Sequence, residues 1–133
     1  MFLVKTLLKP SRIHGIGVFA DQDIKKGTLV WRFDPQFDII FDSKQMALMP
    51  EAKKNFIMGY GYLSKETNKY ILSIDNARFL NHSASNNIDG IDIPGEPEGG
   101  DIANRDIKMR EELTVDYRTF DANDQNSEAN YLG

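Results

Sequence analysis

The chain has 133 residues, the size of a single domain, since domains usually hold roughly 100–150 residues. Apolar residues make up 41% and charged residues 27%, as in ordinary globular proteins, and the absence of cysteine excludes disulfides and thiolate metal sites. The net charge is −4, and no basic patch interleaved with aromatics marks a nucleic-acid surface.

The charge is unevenly spread. Asp89, Asp92, Glu96, Glu98 and Asp101 fall between His82 and Arg105 with no Lys or Arg among them, and Asp121, Asp124 and Glu128 follow Arg118. Two readings stay open here: a pair of solvated loops, or an acidic wall that attracts a basic partner. Residues 1–10 carry lysines inside a short apolar run and lack the pattern of a signal peptide. No apolar stretch reaches the roughly 20 residues that span a bilayer. The expectation is a soluble chain, cytoplasmic by default, with the nucleus or export to a host cell left open.

In chain order, Phe2–Leu7, Gly17–Ala20, Thr28–Phe33 and Asp38–Phe41 read as strands, with turns at Lys26-Gly27 and Asp34-Pro35. Ser43–Met58 reads as one or two short helices, with Ser43 as N-cap, Pro50 in a first turn and Gly59 as the stop. Strand character returns at Tyr60–Leu63, Tyr70–Ser73, Ile88–Ile93, Asp101–Ile107 and Leu113–Tyr117. Residues 93–100, rich in Pro, Gly and Glu, read as a mobile loop. The polar tail 121–133 ends in Tyr131-Leu132, which could dock back.

Three clusters carry candidate chemistry. His14-Gly15-Ile16-Gly17 runs into a strand rather than a helix, so it is not a dinucleotide fingerprint. It is either a tight turn or a place where a ligand lies against bare backbone. In Arg78-Phe79-Leu80-Asn81-His82-Ser83, neighbouring His82 and Ser83 point apart and cannot form a base–nucleophile pair. The chain's two histidines are not spaced as metal ligands. In Arg110-Glu111-Glu112-Leu113-Thr114-Val115-Asp116-Tyr117, the adjacent glutamates alternate faces of a strand, which argues against a paired-carboxylate site.

The order of the three is more specific than any one of them. With Ile24–Val30 and Tyr70–Ala77 as linking segments, they resemble the SET-domain protein-lysine methyltransferases over about residues 3–120. The resemblance implies a mostly β, β-clip-like fold of several small sheets, with one or two short helices and a pseudoknot-like crossing of the Asn-His-Ser segment with the final strand. It implies one SET domain over 1–133, with 121–133 as a short flank. The implied activity is methyl transfer from S-adenosylmethionine to a lysine side chain of a protein, histone-like or otherwise basic, leaving S-adenosylhomocysteine and using no metal.

Carried over by position, Gly15, Ile16 and Gly17 would lie against the cofactor, and Arg78, Asn81 and His82 would hold its methionine and adenine parts. Tyr117 would be the catalytic tyrosine beside the methyl group, assisted by Tyr62. Tyr60, Tyr62, Tyr70 and Phe79 would wall the lysine channel, and Phe120 or the Tyr131 tail would cover the adenine. Asn86 stands where many relatives have proline, Arg110 where glycine is common, and the cysteine-rich flanks of chromatin-targeting relatives are absent. The competing expectation is a catalytically inactive SET-like module that captures basic peptides, or an assembly protein with a vestigial pocket. A homodimer is compatible with the size, and the number of methyls added depends on channel width.

Overall fold

The computed structural model describes residues 1–122. Tyr131 and the rest of the expected docking tail lie outside the described residues. The described residues form ten short strands, two helices and two 3₁₀ turns, arranged in three small sheets, which matches the mostly β expectation.

The first sheet has the order β1-β2-β10-β7. Strand β1 (Thr6–Pro10) pairs antiparallel with β2 (Ile16–Ala20), and the glycine turn connects them. Strand β10 (Glu112–Val115) lies antiparallel to β2 and parallel to β7 (Asn81–His82), with Thr114 opposite Asn81 and Val115 opposite His82. A parallel pair cannot be closed by a tight turn, so the chain must cross over to make this contact. The second sheet has the order β3-β9-β8, from β3 (Leu29–Arg32), β8 (Ile88–Ile93) and β9 (Glu96–Ala103). The third has the order β4-β6-β5, from β4 (Asp38–Phe41), β5 (Tyr62–Leu63) and β6 (Tyr70–Ser73).

The main core fills the space between the first two sheets. Val18, Val30, Ile88, Ala103 and Leu113 are fully or almost fully buried there, and Trp31 packs with them. A smaller cluster of Met46, Ile57 and Leu72 holds helices α1 (Ser43–Ala47) and α2 (Glu51–Tyr60) against the third sheet. Among the described residues no helix is long and apolar enough to cross a membrane.

Several boundaries differ from expectation for identifiable reasons. The N-cap of α1 is Asp42 rather than Ser43: its carboxylate accepts from the Gln45 N–H at 2.8 Å, while the Gln45 side chain accepts from the Asp42 N–H, a complete capping box. Helix α2 runs through Gly59 to Tyr60, so Tyr60 belongs to the helix and only Tyr62–Leu63 are strand. Strand β1 begins at Thr6, and Phe2 makes an isolated bridge to Trp31.

The largest correction is residues 93–100, which form the turn of a β8–β9 hairpin and the first half of β9. Ile93 pairs with Glu96 across Pro94-Gly95, and Gly95 has φ +79. Pro then Gly is the pair that a type II turn requires. The strand expected over Asp101–Ile107 therefore runs over Glu96–Ala103, and Ile107 bridges separately to Ile24.

Arg110, where the family commonly has glycine, adopts φ +77. A side chain in that region costs roughly 1–2 kcal/mol. Arg110→Gly is therefore expected to raise the thermal unfolding midpoint by a few degrees, and a lowered midpoint would show that the arginine side chain earns its place.

Candidate active site

The site is assembled where β10 crosses to β7. Asn81 is buried, and its amide donates to the His14 carbonyl at 3.0 Å, the Ile16 carbonyl at 3.4 Å and Glu112 Oε2 at 3.0 Å. Both Glu112 oxygens also accept from the Ser11 hydroxyl, at 2.8 and 2.9 Å. One carboxylate thus ties the start of the glycine turn to the Asn-His-Ser segment. Asn87 extends the lock: its amide donates to the Glu112 carbonyl at 2.8 Å, and its side-chain oxygen accepts from the Thr114 N–H at 2.9 Å. Buried polar groups left unpaired cost about 1–3 kcal/mol each, so this network is held together by the penalty for breaking it.

The glycines divide in role. Gly15 has φ +46 and open space in front of it, the geometry of a turn whose backbone faces outward. At Gly17 the space where a Cβ would sit is already filled. A Cβ there would lie 2.3 Å from Glu112 Oε2 and 3.0 Å from the Ser11 Cβ, so the residue is glycine to admit the Glu112 carboxylate.

His82 is fully buried, and its Nδ1 accepts from the Tyr117 N–H at 3.1 Å. This bond seats Tyr117 at the head of the 3₁₀ turn Tyr117–Thr119, which Asp116 caps by accepting from the Arg118 N–H at 3.0 Å. The Arg118 guanidinium beside Asp116 holds that carboxyl below its usual range. The Tyr117 hydroxyl donates to the Leu80 carbonyl. Phe120 packs edge-on between the two tyrosines, 5.6 Å from the Tyr117 ring and 5.0 Å from the Tyr62 ring, centroid to centroid.

A cleft of about 890 Å³ opens beside this aromatic group. Arg78, Tyr60, Tyr62, Tyr70, Tyr117 and Phe120, all singled out from the sequence, line it. Tyr60 is exposed and stacks with Phe56 and Phe79 at 4.9 and 5.7 Å, which places it on the rim. Tyr70 also packs on the smaller core. Phe79 lies behind the wall rather than on it, packed against Tyr60 and the main core. Gly15, Ile16, Gly17, Asn81 and His82 do not line this cleft; Asn81 and His82 form the crossing itself, Asn81 holds the glycine turn, and the cleft is reached through Leu80 and Tyr117.

The β8–β9 hairpin contributes Asp89, Asp92, Glu98 and Asp101 to the cleft wall, so most of the acidic stretch seen in the sequence faces the site. Glu96 is instead spent on an ion pair with Arg32. Glu98 Oε1 accepts from the Tyr62 hydroxyl at 2.7 Å, and Oε2 accepts from the Ser64 hydroxyl at 2.7 Å. Burial, then the charge of Glu98, pushes the Tyr62 phenol above the usual tyrosine range. Burial pushes the Asp101 carboxyl up to about 7. Sequence reasoning missed Glu112 and Glu98 as site residues. Their partners lie 101 and 36 positions away in the chain, and only the fold brings them together.

The residues present fit parts of a cofactor that carries a flat ring and a positive charge: the cleft offers aromatic surfaces at Tyr117 and Phe120 and acidic surroundings, and Gly15, outside the cleft, has open space in front of its backbone. Asn81 and His82 spend the side-chain bonds described on protein groups, so they shape the turn and seat the tyrosine.

Gly17→Ala is expected to cost about 1–3 kcal/mol by displacing Glu112 from Ser11 and Asn81, read as a lowered denaturation midpoint; an unchanged midpoint would remove Glu112 from the lock. Asp101 binds its proton more tightly folded than unfolded, so folding stability falls as pH rises from about 4 to about 7. Asp101→Asn should therefore raise the unfolding midpoint near pH 8 and leave it unchanged near about pH 3.5. A difference independent of pH would contradict the assignment.

Residues 15–118 match the SET domain. A Schizosaccharomyces pombe histone-lysine N-methyltransferase, H3 lysine-4 specific, is 31% identical over 118 residues, covering 82% of this chain and 12% of that protein; the chain thus spans only a small part of the relative's length. A candidate histone methyltransferase of Plasmodium falciparum superposes with TM-score 0.58 at 19% identity, over 86% of this chain and 93% of that one. A humanized mutant of the Chaetomium thermophilum Polycomb Repressive Complex 2, bound to the inhibitor GSK126, gives TM-score 0.64 at 21% identity, over 90% of this chain and 16% of that one. A match over this much of the chain, with the fold and the crossing built as described, makes the protein a member of the SET-domain family.

Proposed function

We propose that the protein is a lysine methyltransferase acting on a basic protein segment, with S-adenosylmethionine as methyl donor. The observation that carries this reading is the seating of Tyr117 at the β7–β10 crossing, next to an acidic, aromatic-walled cleft. The family membership and the histone-lysine methyltransferase relative support it. The chain is read as one SET unit with its core over about residues 3–120.

When bound, the cofactor supplies a methyl group on a positively charged sulfur, ready for in-line displacement by an amine. The work left to the chain is alignment and delivery of a neutral amine. Free lysine has a pKa near 10.4, so neutralising it at pH 7 costs about 4–5 kcal/mol. Tyr62, Tyr117 and Phe120 form an aromatic wall that disfavours the ammonium once it is against them, while the acids lining the cleft favour its arrival. Neither tyrosine is assigned as the base, because a phenol near pKa 10 is a poor one at neutral pH and Tyr62 is pushed higher still.

Tyr117, its hydroxyl directed at the Leu80 carbonyl, is assigned the alignment of methyl and amine. Leu80 and its neighbours offer carbonyl oxygens to a polarised methyl group through weak C–H···O contacts. Gly15 and Ile16 are assigned to cofactor contact through their backbone, Arg78 and Phe120 through their side chains, and Asn81 and His82 through the positions they impose.

The test is incubation of the protein with labelled S-adenosylmethionine and an unmodified H3-tail peptide or a lysate, followed by mass spectrometry of lysine products. Tyr117→Phe is expected to lower turnover by about a hundredfold with cofactor affinity, measured by calorimetry, within about two-fold of the parent. Parental turnover in that variant would remove Tyr117 from the chemistry.

A further inference from the structure

The segment between α2 and β6 and the β8–β9 hairpin meet at the Glu98 carboxylate. Glu98 accepts the Tyr62 hydroxyl on Oε1 at 2.7 Å, and on Oε2 accepts Ser64 at 2.7 Å and Thr67 at 3.4 Å. Ser64 is buried, and its own oxygen accepts from the Glu66 and Thr67 N–H groups at 3.2 Å each, so the clamp is rigid on that side. Tyr62, Ser64 and Glu98 all line the cleft.

The donor–acceptor inventory has a consequence for chemistry. A phenol has one proton and two lone pairs. With its proton given to Glu98, Tyr62 can only accept on the side facing the cleft. A lysine ammonium has only donors, so it suits that oxygen, and the adjacent carboxylate adds charge to the attraction. After the amine loses a proton, it needs its lone pair free to attack. A phenol with an uncommitted proton would donate to that lone pair and block it, and Glu98 prevents this by holding the proton elsewhere.

We infer that Glu98 is a positioning residue of the lysine channel: it fixes Tyr62 as an acceptor, which receives the substrate ammonium and leaves the amine lone pair unblocked. The inference rests on the methyltransferase reading above. Other charged groups that act on or line the cleft with the pair are Asp101 on β9, Asp38 on β4, and Lys65, Glu66 and Asp121. Burial first, then the Glu98 charge, raises the Tyr62 phenol, so it keeps the proton that it donates to Glu98.

Two variants separate the two effects. Glu98→Gln keeps an acceptor for Tyr62, with its amide N–H₂ turned to Ser64, but removes the charge. Glu98→Ala removes both. With an H3-tail peptide containing lysine 4, E98Q is expected to raise KM about ten-fold with kcat largely kept. Its kcat profile should move its acid limb down by about one pH unit, because the bound ammonium loses a stabilising charge. E98A should lose kcat as well as KM, and in a Tyr62→Phe background the E98A loss in kcat should vanish. Equal kcat in E98Q and E98A, or an unmoved pH profile in E98Q, would overturn the role.

A second arm reads Glu98 without turnover. Binding of n-butylammonium, followed on ¹³C-labelled tyrosine signals, should weaken about ten-fold in E98Q, while n-pentanol binding should not change. Equal loss for both, or for neither, would overturn the inference. If the unaltered protein methylates no lysine, the reading of the reaction fails, and this arm still decides what Glu98 does to an ammonium.

Discussion

A parallel contact only two residues long, Asn81-His82 against Thr114-Val115, is the constraint on which the rest of the site depends. So short a pairing has few backbone bonds of its own, and it joins segments that no turn connects. What fixes it is side-chain chemistry on both flanks. Glu112 holds Asn81 and Ser11, Asn87 spans the Glu112 carbonyl and the Thr114 N–H, and His82 takes the Tyr117 N–H. Each bond is modest in net terms, but each leaves a buried polar group unpaired if broken, and members of one network do not fail independently. The crossing is therefore specified by polar groups at the edge of an apolar core that supplies most of the folding free energy.

The same arrangement makes fold and function hard to separate at this place. Asn81 braces the glycine turn from behind, and His82 seats the tyrosine from below. In front of the crossing the balance changes: the cleft is acidic and aromatic, and Asp101 sits in it with its carboxyl pushed up to about 7 by burial. Burial lets that carboxyl give up its proton only near pH 7, and a carboxyl shifted this far in a cleft is the pattern found at functional sites.

Much of the fold was legible in the sequence because it was local. The strands at Asp38–Phe41 and Tyr70–Ser73 carry their own β-branched and aromatic pattern, and they form where that pattern places them. Ser43 has the residue type of a helix cap, but Asp42 takes the position because Gln45 three residues on is its capping-box partner. The hairpin turn at Pro94-Gly95 was also written in the chain, but the surrounding Pro, Gly and Glu composition resembled a loop, and pairing with β8 and β3 overrode it. Arg110 departs from the glycine common at this place, and the backbone there is a left-handed position that a side chain occupies at a cost.

Glu112 and Glu98 could not be found that way. In the sequence Glu112 is one of two adjacent glutamates and Glu98 one of several acids, and nothing local marks either as the partner of Ser11 or Tyr62. Their roles exist only once the crossing and the hairpin are built. The most direct measurement is hydrogen exchange with and without S-adenosylmethionine, read by segment. Added protection in residues 11–17, 78–83 and 115–120 together, at one cofactor concentration, is the expected result. Protection confined to one of these segments, or absent from all three, would contradict a single site formed at the crossing.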